Sequence, residues 1–199
     1  MKKVLVINSS VSQLNNSDSL AMSNMFIEEY KKMNPNDEII NLDLNEAKMS
    51  QKTLTRNNIA EYFNQEDSFD FIEQLKSVDK IVLNFSMVNW GIPAILKNYI
   101  DHITIANLTF TYKGSTDGNA IGLLSNIQDI QILATKGGTG TPNSAFTEYV
   151  KNIWEFLGAK VKSEIIINEM MDIPPYAEQT PIENLEKVKE QILKAVKNF

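Results

Sequence analysis

Five short apolar runs, separated by longer stretches of helical periodicity, constrain this chain more than any other feature. Residues 3–7, 38–42, 80–85, 130–134 and 161–167 are rich in β-branched and aliphatic side chains. Runs of this length are strands rather than helices, and where the apolar character is continuous both faces of the strand are buried. Between them, apolar residues recur at helical spacing. Met22, Met25, Phe26, Tyr30 and Met33 form one stripe, behind helix-capping side chains at Ser17-Asp18-Ser19. Pro93 is placed to begin a second helix carrying Ile95, Leu96, Tyr99, Ile100 and Ile103. A third holds Ala145, Phe146, Tyr149, Val150, Ile153, Trp154 and Leu157, with Gly158 as its stop. The last holds Ile182, Leu185, Val188, Ile192, Ala195 and Val196. Residues 45–77 are polar and helical in places, and 110–112 with 120–124 flank a turn-rich stretch suited to a small hairpin. The alternation predicts an α/β protein with a doubly wound, five-stranded parallel sheet in three layers, α/β/α. The strand order expected at this size is 2-1-3-4-5.

A chain of 199 residues fits one core, and it contains no repeat, low-complexity block or Pro/Gly/Ser linker. A single domain over 1–199 is the expectation. There is no cysteine and one histidine, which removes disulfides, thiolate nucleophiles and cysteine-ligated metals. The net charge of -6, with no basic cluster, argues against nucleic acid or an anionic membrane as partner. The apolar run after Met1-Lys2-Lys3 ends at Asn8-Ser9-Ser10, too soon for a signal peptide core or a membrane helix, so a cytoplasmic location is expected.

In doubly wound sheets ligands bind beyond the carboxyl ends of the strands near the point where strand order reverses. That directs attention to three loops. The loop over residues 8–19 is crowded with hydroxyls and amides and feeds a helix N-terminus, a setting that favours a phosphate. It has no glycine, so neither the dinucleotide fingerprint nor the P-loop pattern is present, and a single phosphate monoester remains. The plain alternative is an ordinary capped helix. The second loop, Ser86-Met87-Val88-Asn89-Trp90-Gly91-Ile92-Pro93, offers an apolar wall and one amide to a flat heteroaromatic ring. For a single tryptophan the stronger reading is that Met87 and Trp90 are core residues. The third loop, Thr135-Lys136-Gly137-Gly138-Thr139-Gly140-Thr141-Pro142, holds three of the chain's 8 glycines and presents bare backbone N–H groups, or else is a flexible surface loop. Together the three surround the place a mononucleotide would occupy.

At these residues the sequence resembles the FMN-dependent NADH-azoreductase and NADH:quinone oxidoreductase family of flavodoxin-like proteins. The likeness runs from Lys3-Val4-Leu5-Val6-Ile7-Asn8-Ser9-Ser10 and Ser17-Asp18-Ser19 through Met87-Val88-Asn89-Trp90 and Leu96-Lys97-Asn98-Tyr99-Ile100-Asp101. It continues in Thr109-Phe110-Thr111-Tyr112 and Thr135-Lys136-Gly137-Gly138. The resemblance implies that Ser10, Ser17, Asp18 and Ser19 hold an FMN phosphate. It implies that Met87, Val88, Asn89, Trp90, Thr135, Lys136, Gly137 and Gly138 line the ribityl chain and ring. It also implies a homodimer, NADH as donor with NADPH left open, and quinones and azo compounds as acceptors reduced by two-electron transfer in two half-reactions. Two positions depart from the family. Val88 stands where an aromatic residue is common, and Thr139-Gly140 where a histidine is frequent.

Other residues carry less. His102 falls within the Pro93 helix, facing partner or solvent, and a structural role is the stronger reading. Asp43 ends the second strand, where dinucleotide folds place a ribose-binding acid; without the glycine fingerprint it reads as a cap or a solvated end. No nucleophile elbow, metal cluster or positioned acid pair stands out, so no catalytic side chain is assigned. The rival functions are a flavodoxin-type electron carrier serving a protein partner and an interaction module that keeps the fold without a flavin.

Overall fold

The computed structural model describes residues 1–13, 16–138, 142, 144–168, 174 and 178–199. In chain order the strands are β1 (Lys3–Asn8), β2 (Glu38–Asp43), β3 (Lys80–Ser86), the short pair β4 (Phe110–Thr111) and β5 (Ile121–Gly122), β6 (Asp129–Thr135) and β7 (Val161–Ile167). Five of them form one parallel sheet in the order β2-β1-β3-β6-β7, while β4 and β5 pair antiparallel as a separate hairpin. With the hairpin set aside, this is the expected 2-1-3-4-5 arrangement.

Side chains alternate across the sheet with period two. Leu5, Ile7, Ile81, Leu83 and Phe85 point into one core layer, and Val4, Val6, Val82 and Leu133 into the other. The first layer is closed by α4 (Ala94–Ile103) and α5 (Ser144–Phe156), through Leu96, Tyr99, Phe146, Val150 and Trp154. The second is closed by α1 (Asp18–Met33) and α7 (Lys189–Asn198), through Met22, Phe26, Tyr30, Ile192 and Val196. Each such side chain, fully buried, contributes about 1.5–3 kcal/mol, so neither face of the sheet can be left open to water. Among the described residues no helix is long and apolar enough to cross a membrane.

Four strands run one residue past the apolar segments, ending on Asn8, Asp43, Ser86 and Thr135. The parallel ladder continues through these polar residues, with Asn8 opposite Asn84 and Ser86 opposite Thr135. Amides and hydroxyls therefore collect at the carboxyl edge.

Several elements differ from the sequence reading. Residues 45–77 resolve into a 3-10 turn at Lys48–Gln51, α2 (Ile59–Tyr62), a π-helical turn at Gln65–Phe69 and α3 (Asp70–Lys76). Pro93 is the residue before α4 rather than its first helical residue; its ψ of 144° is extended. The last helix is broken into α6 (Pro181–Asn184), a 3-10 turn at Leu185–Lys187 and α7. That change of pitch removes Ile182 from the stripe, and it is 73% exposed. Ala145 belongs to α5, but its side chain lies outside the described residues. Gly158 does end the α5 region, at φ 94°, a conformation that favours glycine.

Candidate functional site

The loop after β1 is built from hydroxyls bonded to one another. Ser17 caps α1: its Oγ accepts from the Leu20 N–H at 3.2 Å. The same oxygen lies 2.7 Å from Ser10 Oγ and 3.4 Å from Ser19 Oγ. Ser19 Oγ in turn is 3.3 Å from Ser86 Oγ at the end of β3, and Thr135 Oγ1 at the end of β6 donates to Ser86 Oγ at 2.8 Å. One chain of hydroxyls thus ties the ends of three elements together beneath the loops. Asn45 adds a brace from β2: its Nδ2 donates to Ser10 O at 2.9 Å and to Asp43 Oδ1 at 2.8 Å. The first turn of a helix has N–H groups without intrahelical acceptors. Here the capping oxygen takes the Leu20 N–H, while those of Asp18 and Ser19 belong to the same open turn.

The loop after β3 makes a tight turn. Val88 N–H donates to Gly91 O at 2.9 Å, and Gly91 N–H to Val88 O at 2.9 Å. Between them Asn89 and Trp90 both have positive φ, 47° and 70°. Two central residues at positive φ define a type I′ turn, which suits Asn but costs a bulky residue about 1–2 kcal/mol. The turn lifts the indole out of the core, so Trp90 is 64% exposed. The reading of Trp90 as a core residue is therefore wrong, whereas Met87 does pack against the core.

All three loops open onto one cleft of about 270 Å³. Val11, Ser12, Asn16 and Asp18 line it from the first loop, Ser86, Met87 and Val88 from the second, and Thr135, Lys136 and Gly137 from the third. Of the residues expected in the site, Asp18, Met87, Val88, Thr135, Lys136 and Gly137 face this cleft. Ser10, Ser17 and Ser19 form its buried backing, each at most 3% exposed. Asn89 and Trp90 follow Val88 in the turn and do not themselves line the cleft, and Gly138 follows Gly137 with no atom of the described residues within 4 Å of where a Cβ would lie. Thr139 and Gly140 lie outside the described residues, as do Leu14 and Asn15.

Asp18 is the acid of this cleft. Burial raises its pKa above the ordinary carboxylate value, and a hydrogen bond from Asn184 Nδ2 at 3.0 Å opposes that shift. The cleft thus has a hydroxyl- and amide-rich end at the α1 N-terminus and an apolar end beside Met87 and Val88. Such a shape accepts a small anion joined by a flexible chain to a flat ring.

Val11, Ser12, Asn16, Ser86 and Asn45 were not singled out in the sequence. Ser86 had a visible signal: a hydroxyl closing an otherwise apolar strand, as Thr135 closes β6. Asn45 had none, because its role depends on β2 lying beside β1. Asp43 holds Asn45 through its carboxylate, which also accepts the Asn45 N–H at 2.9 Å, and so supports the first loop from the side.

His102 does not face partner or solvent. It is fully buried, stacked on Tyr62 with ring centroids 3.8 Å apart, and its Nδ1 lies 3.0 Å from Ser68 Oγ. Burial lowers its pKa, with Asp67 nearby acting in the opposite sense. Among the described residues no group of acids and histidine is arranged to hold a metal.

Comparison with known proteins shows the family. A family model of the flavodoxin-like fold matches residues 2–192. The chain is 98% identical, over the whole of both sequences, to FMN-dependent NADH:quinone oxidoreductase 2 of Mesoplasma florum. It is 44% identical, again over the whole of both, to an FMN-dependent NADH:quinone oxidoreductase of Mycoplasmopsis pulmonis. A crystal structure of an azoreductase from Bacillus anthracis superposes with a TM-score of 0.80 at 25% identity, covering all of both chains.

Proposed function

Because the chain belongs to the flavodoxin-like family of FMN-dependent NADH:quinone oxidoreductases and NADH-azoreductases, we propose that it binds one FMN in the cleft described above and uses NADH to reduce quinones and azo compounds. The observation that carries this reading is the meeting of three loops, from β1, β3 and β6, on one cleft with a phosphate-suited end and an apolar end.

The residues present fit FMN. Ser10, Ser12, Ser17 and the open first turn of α1 supply neutral donors for a phosphate monoester, while the absence of a glycine fingerprint gives no place for a second phosphate. Ser19 and Ser86 hold that turn in place from behind. Met87 and Val88 form an apolar support, and Asn89, next in the turn, would offer an amide. None of the described residues crowds the position of a Gly138 Cβ, which would let a ring edge approach bare backbone N–H groups near Gly137 and Gly138. Thr135 and Lys136 shape the wall between them, and the exposed Trp90 indole bounds the open side, where nicotinamide and acceptor would exchange. FMN, when bound there, would supply the two-electron chemistry that links NADH to the acceptor. The protein's part is to position the ring, hydrogen-bond the phosphate and admit flat molecules one at a time. No side chain is required as nucleophile, which agrees with a chain lacking cysteine.

We further propose that the whole chain acts as one domain, that it works in the cytoplasm, and that it forms a homodimer. Tyr112, Ile121, Leu123 and Tyr149 remain exposed in the single chain and support an apolar contact with a second copy. Heating purified protein and separating the released cofactor should yield one FMN per chain; FAD, or no flavin taken up on reconstitution, would overturn the reading. Light scattering should give about twice 22.5 kDa, and a mass near 22.5 kDa would remove the dimer.

A further inference from the structure

Asp18 occupies an unusual place for an acid. It is the first residue of α1, lies between the two serines of the phosphate end and lines the cleft. It cannot simply swing away without loss: its Oδ1 accepts from Asn184 Nδ2 at 3.0 Å, and Asn184, at the end of α6, is only 3% exposed. Residues 8–19 contain no lysine or arginine. The donors that this loop brings to the cleft are hydroxyls, an amide and backbone N–H groups, all neutral. A phosphate monoester has a second pKa of about 6 and is mostly dianionic at neutral pH. Seating it beside an ionised Asp18 would bring three negative charges together in a half-buried cleft, where their repulsion is stronger than in water.

We propose that FMN enters this site together with one proton, shared between its phosphate and the Asp18 carboxyl group in an O–H···O hydrogen bond, so that affinity for the cofactor falls as pH rises. The proposal rests on the FMN reading above. The free protein already leans this way, since burial holds the Asp18 pKa above its ordinary value and the Asn184 hydrogen bond only opposes that shift. The charged groups on the elements around it are Lys136, which lines the same cleft, and Glu183, Glu186 and Lys187, on the segment that carries Asn184. Lys136 and Lys187 both have interactions of their own. In the pair of like charges the proton goes to whichever oxygen holds it better, as when two acids share a site. The balance is simple: a phosphate dianion, a carboxylate and one proton from solvent give a bound pair carrying two negative charges in place of three.

The measurement is calorimetric titration of apoprotein with FMN at pH 7.5 in two buffers of different ionisation enthalpy, which counts protons taken up. Wild type should take up close to one proton per FMN, and its Kd should rise toward tenfold per pH unit above about pH 7. Riboflavin, without a phosphate, should bind with no uptake. Asp18→Asn keeps an oxygen for Asn184 but removes the acid. It should bind FMN with little uptake and, at pH 8.5, at least tenfold more tightly than wild type. FMN binding by wild type without proton uptake would overturn the proposal, and that result needs no variant. Undiminished uptake in Asp18→Asn would also overturn it, by placing the proton on another group. Failure of wild type to bind FMN at any pH would instead refute the FMN reading beneath it.

Discussion

Replacing Ser17 by alanine separates a phosphate contact from a helix cap, because this oxygen has both roles in the account. In the free protein it accepts the Leu20 N–H at 3.2 Å and pairs with Ser10 Oγ at 2.7 Å. Loss of the cap should cost about 1 kcal/mol of stability, a fall of about 2–4 °C in Tm for a domain of this size. Loss of a charge-assisted hydrogen bond to the phosphate should cost about 1.5–3 kcal/mol of binding, or about tenfold to somewhat over a hundredfold in Kd. Adding Ser19→Ala removes the hydroxyl that links Ser17 to Ser86 and should bring the loss to about a hundredfold or more. Riboflavin lacks the phosphate, so its affinity should stay within about twofold while the cap is damaged equally for both ligands. The assay is fluorescence titration of apoprotein with FMN and with riboflavin, at a temperature well below the variant's Tm. Equal losses for the two ligands, or no loss for FMN, would place the phosphate elsewhere and remove the first loop from the site.

Two glycines give opposite expectations. Gly138→Ala should leave stability within about 0.5 kcal/mol of wild type, since among the described residues its Cβ meets nothing within 4 Å, yet weaken FMN and riboflavin alike by crowding the ring side of the cleft; a lowered Tm with unchanged flavin affinity would contradict this. Gly122→Ala puts a Cβ 2.1 Å from Gly158 N, where backbone must move, and should destabilise by about 1–3 kcal/mol or more in urea unfolding; an unchanged midpoint would refute that contact. His102 sets a pH dependence of stability. Burial depresses its pKa, so the unfolded chain binds that proton more readily, and stability should fall as pH drops below the unfolded value of about 6.5, levelling off once the folded histidine protonates. His102→Gln should flatten urea midpoints between pH 7 and 5, and an unaltered slope would place the titration on another group.

The parallel sheet was legible because burial on both faces leaves a continuous apolar signature, and its order followed from size and alternation. The strand ends were harder to see. Asn8, Ser86 and Thr135 look like loop in a hydropathy reading, but backbone pairing does not stop where apolar side chains do. The last helix misled for a related reason: Ile182 to Val196 keep an approximate helical spacing through a 3-10 turn, and only three-dimensional pitch shows that Ile182 leaves the stripe. At the site, the loops were found through serines, glycines and their position after strands. What could not be found were relations across strands, such as Asn45 bracing Ser10, and the positive φ that turns Trp90 outward, for which an aromatic residue gives no sequence signal.

On this reading the chain holds FMN and passes electrons from NADH to a flat acceptor. An absorbance spectrum of the purified, FMN-reconstituted protein, followed by anaerobic addition of NADH and then a quinone, tests it most directly. The bound-flavin spectrum should bleach with one equivalent of NADH and return when quinone is added. A protein that retains no flavin, or whose bound flavin stays oxidised in excess NADH, would contradict it.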